Sequence, residues 1–377
     1  MGSNNDDICK ECGYNSLFCN VNHFKHNFKK WSSGNSNIDK LIQGTQLSAH
    51  YDVSIALEWI PYKRLTDIKY ISEGGFGKIY RAKWKDGNIQ YWDTKNKNWE
   101  RCSQNMIVAL KSLNNSKKVT SEFTNEVNEV ILHYKIKKCN GFVIEFYGIT
   151  QDPKTKNYMM VMEYAENGSL RNYLDKSYHE LKWENKIHYL CSTAFGLASI
   201  HENEVVHRNL HSGNVLKNNV QTCITDVGLC KPADYNESEN TKNGLRPRFN
   251  MKIPPLIVDL IKKCLDANPL NRPDAFEVRK TIYPWWHDFE DQIELKKQIK
   301  EAEVSMKTSS ALSYEKHPGA IYTSRLLSFD NLPEPKNSDN YYEQNDNIIS
   351  IECSEFFQID ISQLKISDKD QISESEG

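Results

Sequence analysis

Three groups of residues in this 377-residue chain have the types and spacing to do chemistry. Near the N-terminus, Cys9-x2-Cys12 is followed by Cys19 and then by His23 and His26. A C-x2-C knuckle plus one more Cys and a His can supply four tetrahedral zinc ligands, Cys9, Cys12, Cys19 and His23. A regular second knuckle would need a cysteine where the chain has Asn22, so an ordinary thiol-bearing segment is the alternative. In the second group, Ser72-Glu73-Gly74-Gly75-Phe76-Gly77, glycines stand where a backbone could approach phosphates with no Cβ in the way. A tight hairpin would read the same. The third group runs His207-Arg208-Asn209-Leu210-His211-Ser212-Gly213-Asn214 and ends at Asp226-Val227-Gly228.

Periodicity indicates the elements that must hold these groups. Leu65 to Tyr70 alternates as a strand, and Val108-Ala109-Leu110-Lys111 is an apolar run closed by a lysine. A polar insertion, Lys85 to Asn105, lies between them, with Asp86-Gly87 as a hairpin turn. Val143 to Thr150 and Tyr158 to Glu163 read as strands joined by a turn at Gln151-Asp152-Pro153-Lys154. Phe123-Thr124-Asn125-Glu126-Val127 starts a helical pattern in which Glu126 and Glu129 both stand. From Trp183 to Glu202, apolar residues recur at Ile187, Leu190, Ala194 and Leu197 with helical spacing. Pro255 to Leu265 is a further helix pattern. Residues 31–64 read as a linker with a short helix near Ile38 to Ile42. Residues 284–377 read as a mostly disordered tail with a charged helix, Phe289 to Met306.

Composition narrows the function class. The formal net charge of −2 removes any global electrostatic case for binding nucleic acid or an anionic membrane. No apolar run reaches the length of a membrane-spanning helix, and the polar start Met1-Gly2-Ser3-Asn4-Asn5-Asp6 has no signal-peptide core. Asp6 sits where a myristoylation motif wants Ser or Thr. Ten cysteines without a secretory signal indicate reduced thiols, hence a cytoplasmic protein, with the nucleus as the alternative.

In their order along the chain, these motifs resemble those of a protein kinase of the tyrosine-kinase-like group, with a catalytic-loop wording similar to sequences expanded in some fungi. The resemblance covers about residues 65–283 and implies an α+β, bilobal fold: a small β-rich lobe and a truncated, mainly helical one. It implies an ATP and Mg2+ site. Gly74 and Gly77 would cover the phosphates, and Ile79 and Ala109 would roof the adenine. Lys111 would hold phosphate oxygens, oriented by Glu126. Met162 would be the gatekeeper, with the Glu163 carbonyl and the Ala165 amide bonding adenine. Asn214 and Asp226 would bind Mg2+, and the partner would be a protein substrate or a signalling protein.

The chain also departs from that pattern. Asn209 stands at the catalytic-base position, where the family has Asp, and Val227 replaces the Phe of the metal-binding turn. An amide cannot accept the proton of a substrate hydroxyl, and such general-base catalysis contributes about 10²–10⁴-fold. No A-P-E triplet follows Gly228, and only 46 positions separate Asp226 from Arg272. The family's intervening helices do not fit in that span, so the Gly244–Leu245 junction reads as an excision. Without them, Ile187, Leu190 and Leu197 are expected to show water an apolar face, at about 1.5–3 kcal/mol for each side chain left unburied.

The favoured expectation is therefore a kinase-family protein with impaired phosphotransfer, acting through contacts in the manner of a pseudokinase. An active Ser/Thr or Tyr kinase and a zinc-knuckle adaptor carrying a kinase remnant are the alternatives.

Overall fold

The computed structural model describes residues 9, 13, 19–74, 77–113, 141–227, 231–232 and 253–308. Its centre is a sheet of six strands. These are β1 (Glu58–Trp59), β2 (Leu65–Gly74), β3 (Gly77–Trp84), β6 (Met106–Ser112), β7 (Phe146–Gln151) and β8 (Tyr158–Glu163), in the spatial order β1-β7-β8-β6-β3-β2. All neighbours are antiparallel except β1 and β7, which run parallel. A separate hairpin, β4 (Asn88–Asp93) and β5 (Asn98–Cys102), forms within the polar insertion.

Alternation along the strands gives the sheet two apolar faces. Val108 and Leu110 of β6 pack with Ala82, Trp84, Met159 and Val161 on one face. Met160, Met162, Phe146 and Ile149 pack on the other, where they meet a helix that precedes the sheet in sequence. That helix, α2 (Ser36–Ser48), follows α1 (Asn20–Asn27). It begins at Asn35, whose side chain accepts from the Asn37 and Ile38 amides, a helix-capping arrangement. Ile38 and Ile42, one turn apart, are buried against the sheet, each contributing about 1.5–3 kcal/mol. Polar bonds anchor the other end: Gln46 Nε2 donates to Leu57 O at 2.7 Å, and Leu57 N donates to Thr45 Oγ1 at 2.9 Å.

Residues 31–64 are thus part of the sheet's core, not a linker. The Ser, Asn and Gly content that suggested one serves as capping. Ser33 N and Ser32 Oγ both donate to the Asp39 carboxylate at 2.7 Å, fixing the entry to α2.

The second region contains α3 (Leu170–Ser177), the long α4 (Trp183–Glu202), and the short strands β9 (Val205–Val206), β10 (Val215–Lys217), β11 (Thr222–Ile224) and β12 (Lys231–Pro232). Helices α5 (Pro255–Cys264), α6 (Ala275–His287) and α7 (Ile293–Thr308) complete it. The architecture is the expected mixed α+β one, a β-rich lobe and a helical lobe.

The bare face expected on α4 is largely covered. Ile187 is fully buried with Ile257 of α5, Ile282 of α6 and Leu295 and Ile299 of α7. Leu197 packs beside Ile200, Val205, Ile224 and Val227, and Leu190 alone stays open, at 46% exposure. The apolar stripes of the C-terminal helices fill the space, so α7, expected inside a tail, is packed into the lobe through Leu295, Ile299 and Ala302. Before α6, Arg272 Nε donates to Asp266 O at 2.7 Å.

Candidate functional site

Two hairpins and one strand bring the site together. β10 and β11 pair in the register Val215↔Ile224 and Lys217↔Thr222, which places Asn214 and Asp226 side by side at their open end. Thr225 N donates to Asn214 O at 2.9 Å, fixing that end. Asn214 Nδ2 then donates to Asp226 Oδ2 at 3.3 Å and to Asn209 O at 3.0 Å. From the sheet, Lys111 at the end of β6 reaches the same carboxylate, with Nζ 2.9 Å from Asp226 Oδ1. Lys111 is only 7% exposed, so this is a shielded ion pair.

The loop between β9 and β10 is held by its first residue. His207 is buried, its Nδ1 accepts from Asn209 N at 3.2 Å, and its Nε2 donates to Thr225 O at 3.0 Å. An acceptor Nδ1 makes this the Nε2–H tautomer. Burial pulls its pKa below the ordinary imidazole range, against the opposing influences of the Thr225 bond and the Asp226 charge. Arg208 and Asp226 both adopt left-handed backbone, each at φ 64°, which a non-glycine residue accepts only under surrounding constraint. Lys231 and Pro232 of β12 pair with Val206 and Val205, bringing the chain after Asp226 back alongside the loop.

The glycine segment is the β2–β3 hairpin. Gly74 pairs with Gly77, whose φ of 116° suits a residue with no Cβ, and Gly75 and Phe76 lie outside the described residues. In register, Ile79 faces Lys111, and Ala109 faces Met162. Both Ile79 and Ala109 are half-buried, as an apolar roof over a cleft requires. At the end of β8, Glu163 N donates to Glu145 O at 2.8 Å, and Asn218 Nδ2 donates to the Glu163 carboxylate at 3.2 Å, joining the strand to the second region. Burial raises the Glu163 pKa. Ala165 follows, buried, with its carbonyl accepting from Gly168 N at 3.0 Å. Glu126 and Glu129 lie outside the described residues, so Lys111's expected partner is not among them.

The set suits a hard cation and a polyphosphate. Asp226 brings a carboxylate, Asn214 keeps an amide oxygen while its Nδ2 is engaged, and Lys111 brings an ammonium beside them. Asn209 sits at the expected loop position, fixed through its backbone by His207 and Asn214.

The proposed metal set near the N-terminus needs one correction. Cys9 and Cys19 converge, but the imidazole that meets them is His50, not His23. His23 stacks on Trp92 of the β4–β5 hairpin, with ring centroids 4.1 Å apart. Trp99 stands edge-on to the same ring, so aromatic packing claims it. Cys12 lies outside the described residues. Nothing in local spacing could have singled out His50, because it reaches the cysteines only once α2 has folded back beside α1.

Comparison with known proteins agrees with this geometry. The family profile "Protein tyrosine and serine/threonine kinase" matches residues 65–251. "Tyrosine-protein kinase SPK-1" of Girardia tigrina is 26% identical over 233 residues, covering 60% of this chain and 41% of that protein. "Probable serine/threonine-protein kinase CST" of Arabidopsis thaliana is 30% identical over 180 residues, covering 46% of this chain and 39% of that one. The chain thus spans about two fifths of the length of these relatives. A lysine at the end of β6, an Asn–Asp pair across a small hairpin and a glycine hairpin are parts such a domain needs, and residues 65–251 form a domain of the protein kinase family.

Proposed function

We propose that this chain binds a nucleotide with Mg2+ through its kinase domain and is impaired in phosphoryl transfer to protein, acting mainly through contacts in signalling. The observation that carries this reading is the pairing of a converged Lys111–Asn214–Asp226 set with Asn209. Lys111, Asn214 and Asp226 converge within hydrogen-bond distance, while the residue at the base position is an amide.

The protein kinase family uses ATP and Mg2+, and the cation neutralises charge that develops on the transferred phosphoryl group. Here Asn214 and Asp226 would hold the cation and Lys111 the phosphate oxygens. The Gly74–Gly77 hairpin would close over them, and Ile79 and Ala109 would pack on the base. His207 holds the loop backbone in place, so Asn209 is positioned although it cannot take a proton.

The test is thermal unfolding with and without Mg-ATP, together with transfer of labelled phosphate to a generic protein substrate. A rise in melting temperature with little or no transfer supports the reading. Transfer that Lys111→Ala abolishes would replace it with the active-kinase reading. That second reading is favoured by the shielded Lys111–Asp226 pair and by kinase catalysis resting mainly on positioning. The adaptor reading, with a kinase remnant, has the well-packed lobes against it.

A further inference from the structure

We infer that Cys9, Cys19 and His50 form a structural Zn2+ site that ties the start of α1 to the end of α2, outside the matched kinase domain. Their ligand atoms all lie within 4.8 Å of one another. Cys19 Sγ is 3.4 Å and Cys9 Sγ 3.8 Å from His50 Nδ1. Zn–S bonds of about 2.3 Å and Zn–N bonds of about 2.0–2.1 Å, set tetrahedrally, put sulfur and nitrogen about 3.6 Å apart. The two observed separations bracket that value.

Both sulfurs address one nitrogen. Nδ1 carries a single lone pair or a single proton, so it can serve one thiol as a hydrogen-bond partner but not two. A metal ion between the three resolves this, because each ligand then points at the ion and none at another.

The surroundings hold the ligands in place. His50 O accepts from Asn20 N at 3.1 Å and from Asn20 Nδ2 at 3.3 Å, which pins the His50 backbone to the residue after Cys19. Cys19 is the N-cap of α1, so its backbone is fixed by the start of that helix. Cys9 and Cys19 are both buried, and among the described residues they share a cluster with Val21 and the partly buried Leu47. Metal bound between them would supply folding free energy directly.

In the sequence Cys12 stands at knuckle spacing from Cys9, though it lies outside the described residues, and Gly13, at φ 73°, donates its N–H to Cys9 O at 2.8 Å beside the first ligand. Thiolate and imidazole donors select Zn2+ over the oxygen-seeking Mg2+ and Ca2+. As each Zn–S bond forms, the thiol proton passes to solvent.

The test uses the full chain, purified without chelator and analysed for metal, then stripped and titrated with Co2+. Stoichiometric zinc, its loss in Cys19→Ser and His50→Ala and its retention in His23→Ala are the expected result. Co2+ should give the visible absorption of a tetrahedral thiolate complex on the wild-type chain, a readout that does not depend on any variant folding. Wild-type chain without zinc and without that absorption overturns the site. So does zinc that survives His50→Ala and is lost in His23→Ala.

Discussion

Lys111 Nζ stands 2.9 Å from Asp226 Oδ1 across 115 residues of sequence, joining the end of β6 to the turn after β11. Their side chains are 8% and 13% exposed, so water screens the attraction little. Removing one partner of such a pair leaves the other charge buried and uncompensated, a cost of about 3–5 kcal/mol. Lys111→Ala is therefore expected to lower stability by that order in urea unfolding without nucleotide. It should also abolish any rise in melting temperature with Mg-ATP. The wild-type chain at a hundredfold excess over Kd should gain about 2.7 kcal/mol.

Asn209→Asp restores a proton acceptor where the loop backbone is already fixed by His207 and Asn214. ATP turnover or autophosphorylation should rise by about 10²-fold or more, the lower end of general-base contributions. The melting shift given by Mg-ATP should not change, because nucleotide binding does not use this position. A rate equal to wild type, measured by release of labelled phosphate, would show that the base position is not what limits transfer.

The pH dependence follows from His207. Its folded pKa lies below the ordinary value because burial disfavours the imidazolium, and protonating Nδ1 would also remove the acceptor of Asn209 N–H. A histidine with a depressed folded pKa contributes stability above its unfolded pKa, about 6.5, and that stability is lost as pH falls below it. Burial lowers His188, His201 and His211 in the same sense. Urea midpoints should therefore fall between pH 7.5 and 5.5, and less steeply in His207→Phe.

Two glycines give opposite expectations for the same substitution. A Cβ at Gly148 would lie 2.0 Å from Glu58 O, so Gly148→Ala must push β1 off β7. A loss of about 1–3 kcal/mol is expected, as for other overpacked sites. Gly44 sits in α2 with nothing within 4 Å, and Gly44→Ala should stabilise by about 0.4–1 kcal/mol. Urea unfolding of the two variants side by side checks both.

What was legible in the sequence was what is local. Lys111, Asn214, Asp226 and the Gly74–Gly77 hairpin each announce themselves within a few neighbours, and their order along the chain did the rest. Ile38 and Ile42 were visible as an apolar pair but not as core, because the face they cover is made by β7 and β8, more than a hundred residues later. Ile187 was wrongly expected to be bare because its cover comes from α5, α6 and α7, whose own stripes do not name their partner. His23 was chosen on nearness in sequence to the cysteines, and the Trp92 ring that claims it belongs to a distant hairpin.

Because β1 and α2 precede residue 65, the stretch that matches the family is shorter than the unit that folds. A protease nick or an engineered start at residue 65 would strip β7 of its parallel neighbour and open a free sheet edge. It would also uncover Phe146, Ile149 and Met160, which α2 now covers. An unpaired edge beside an exposed apolar face is a template for chain-to-chain pairing, so such a fragment is expected to aggregate where the longer chain remains in solution.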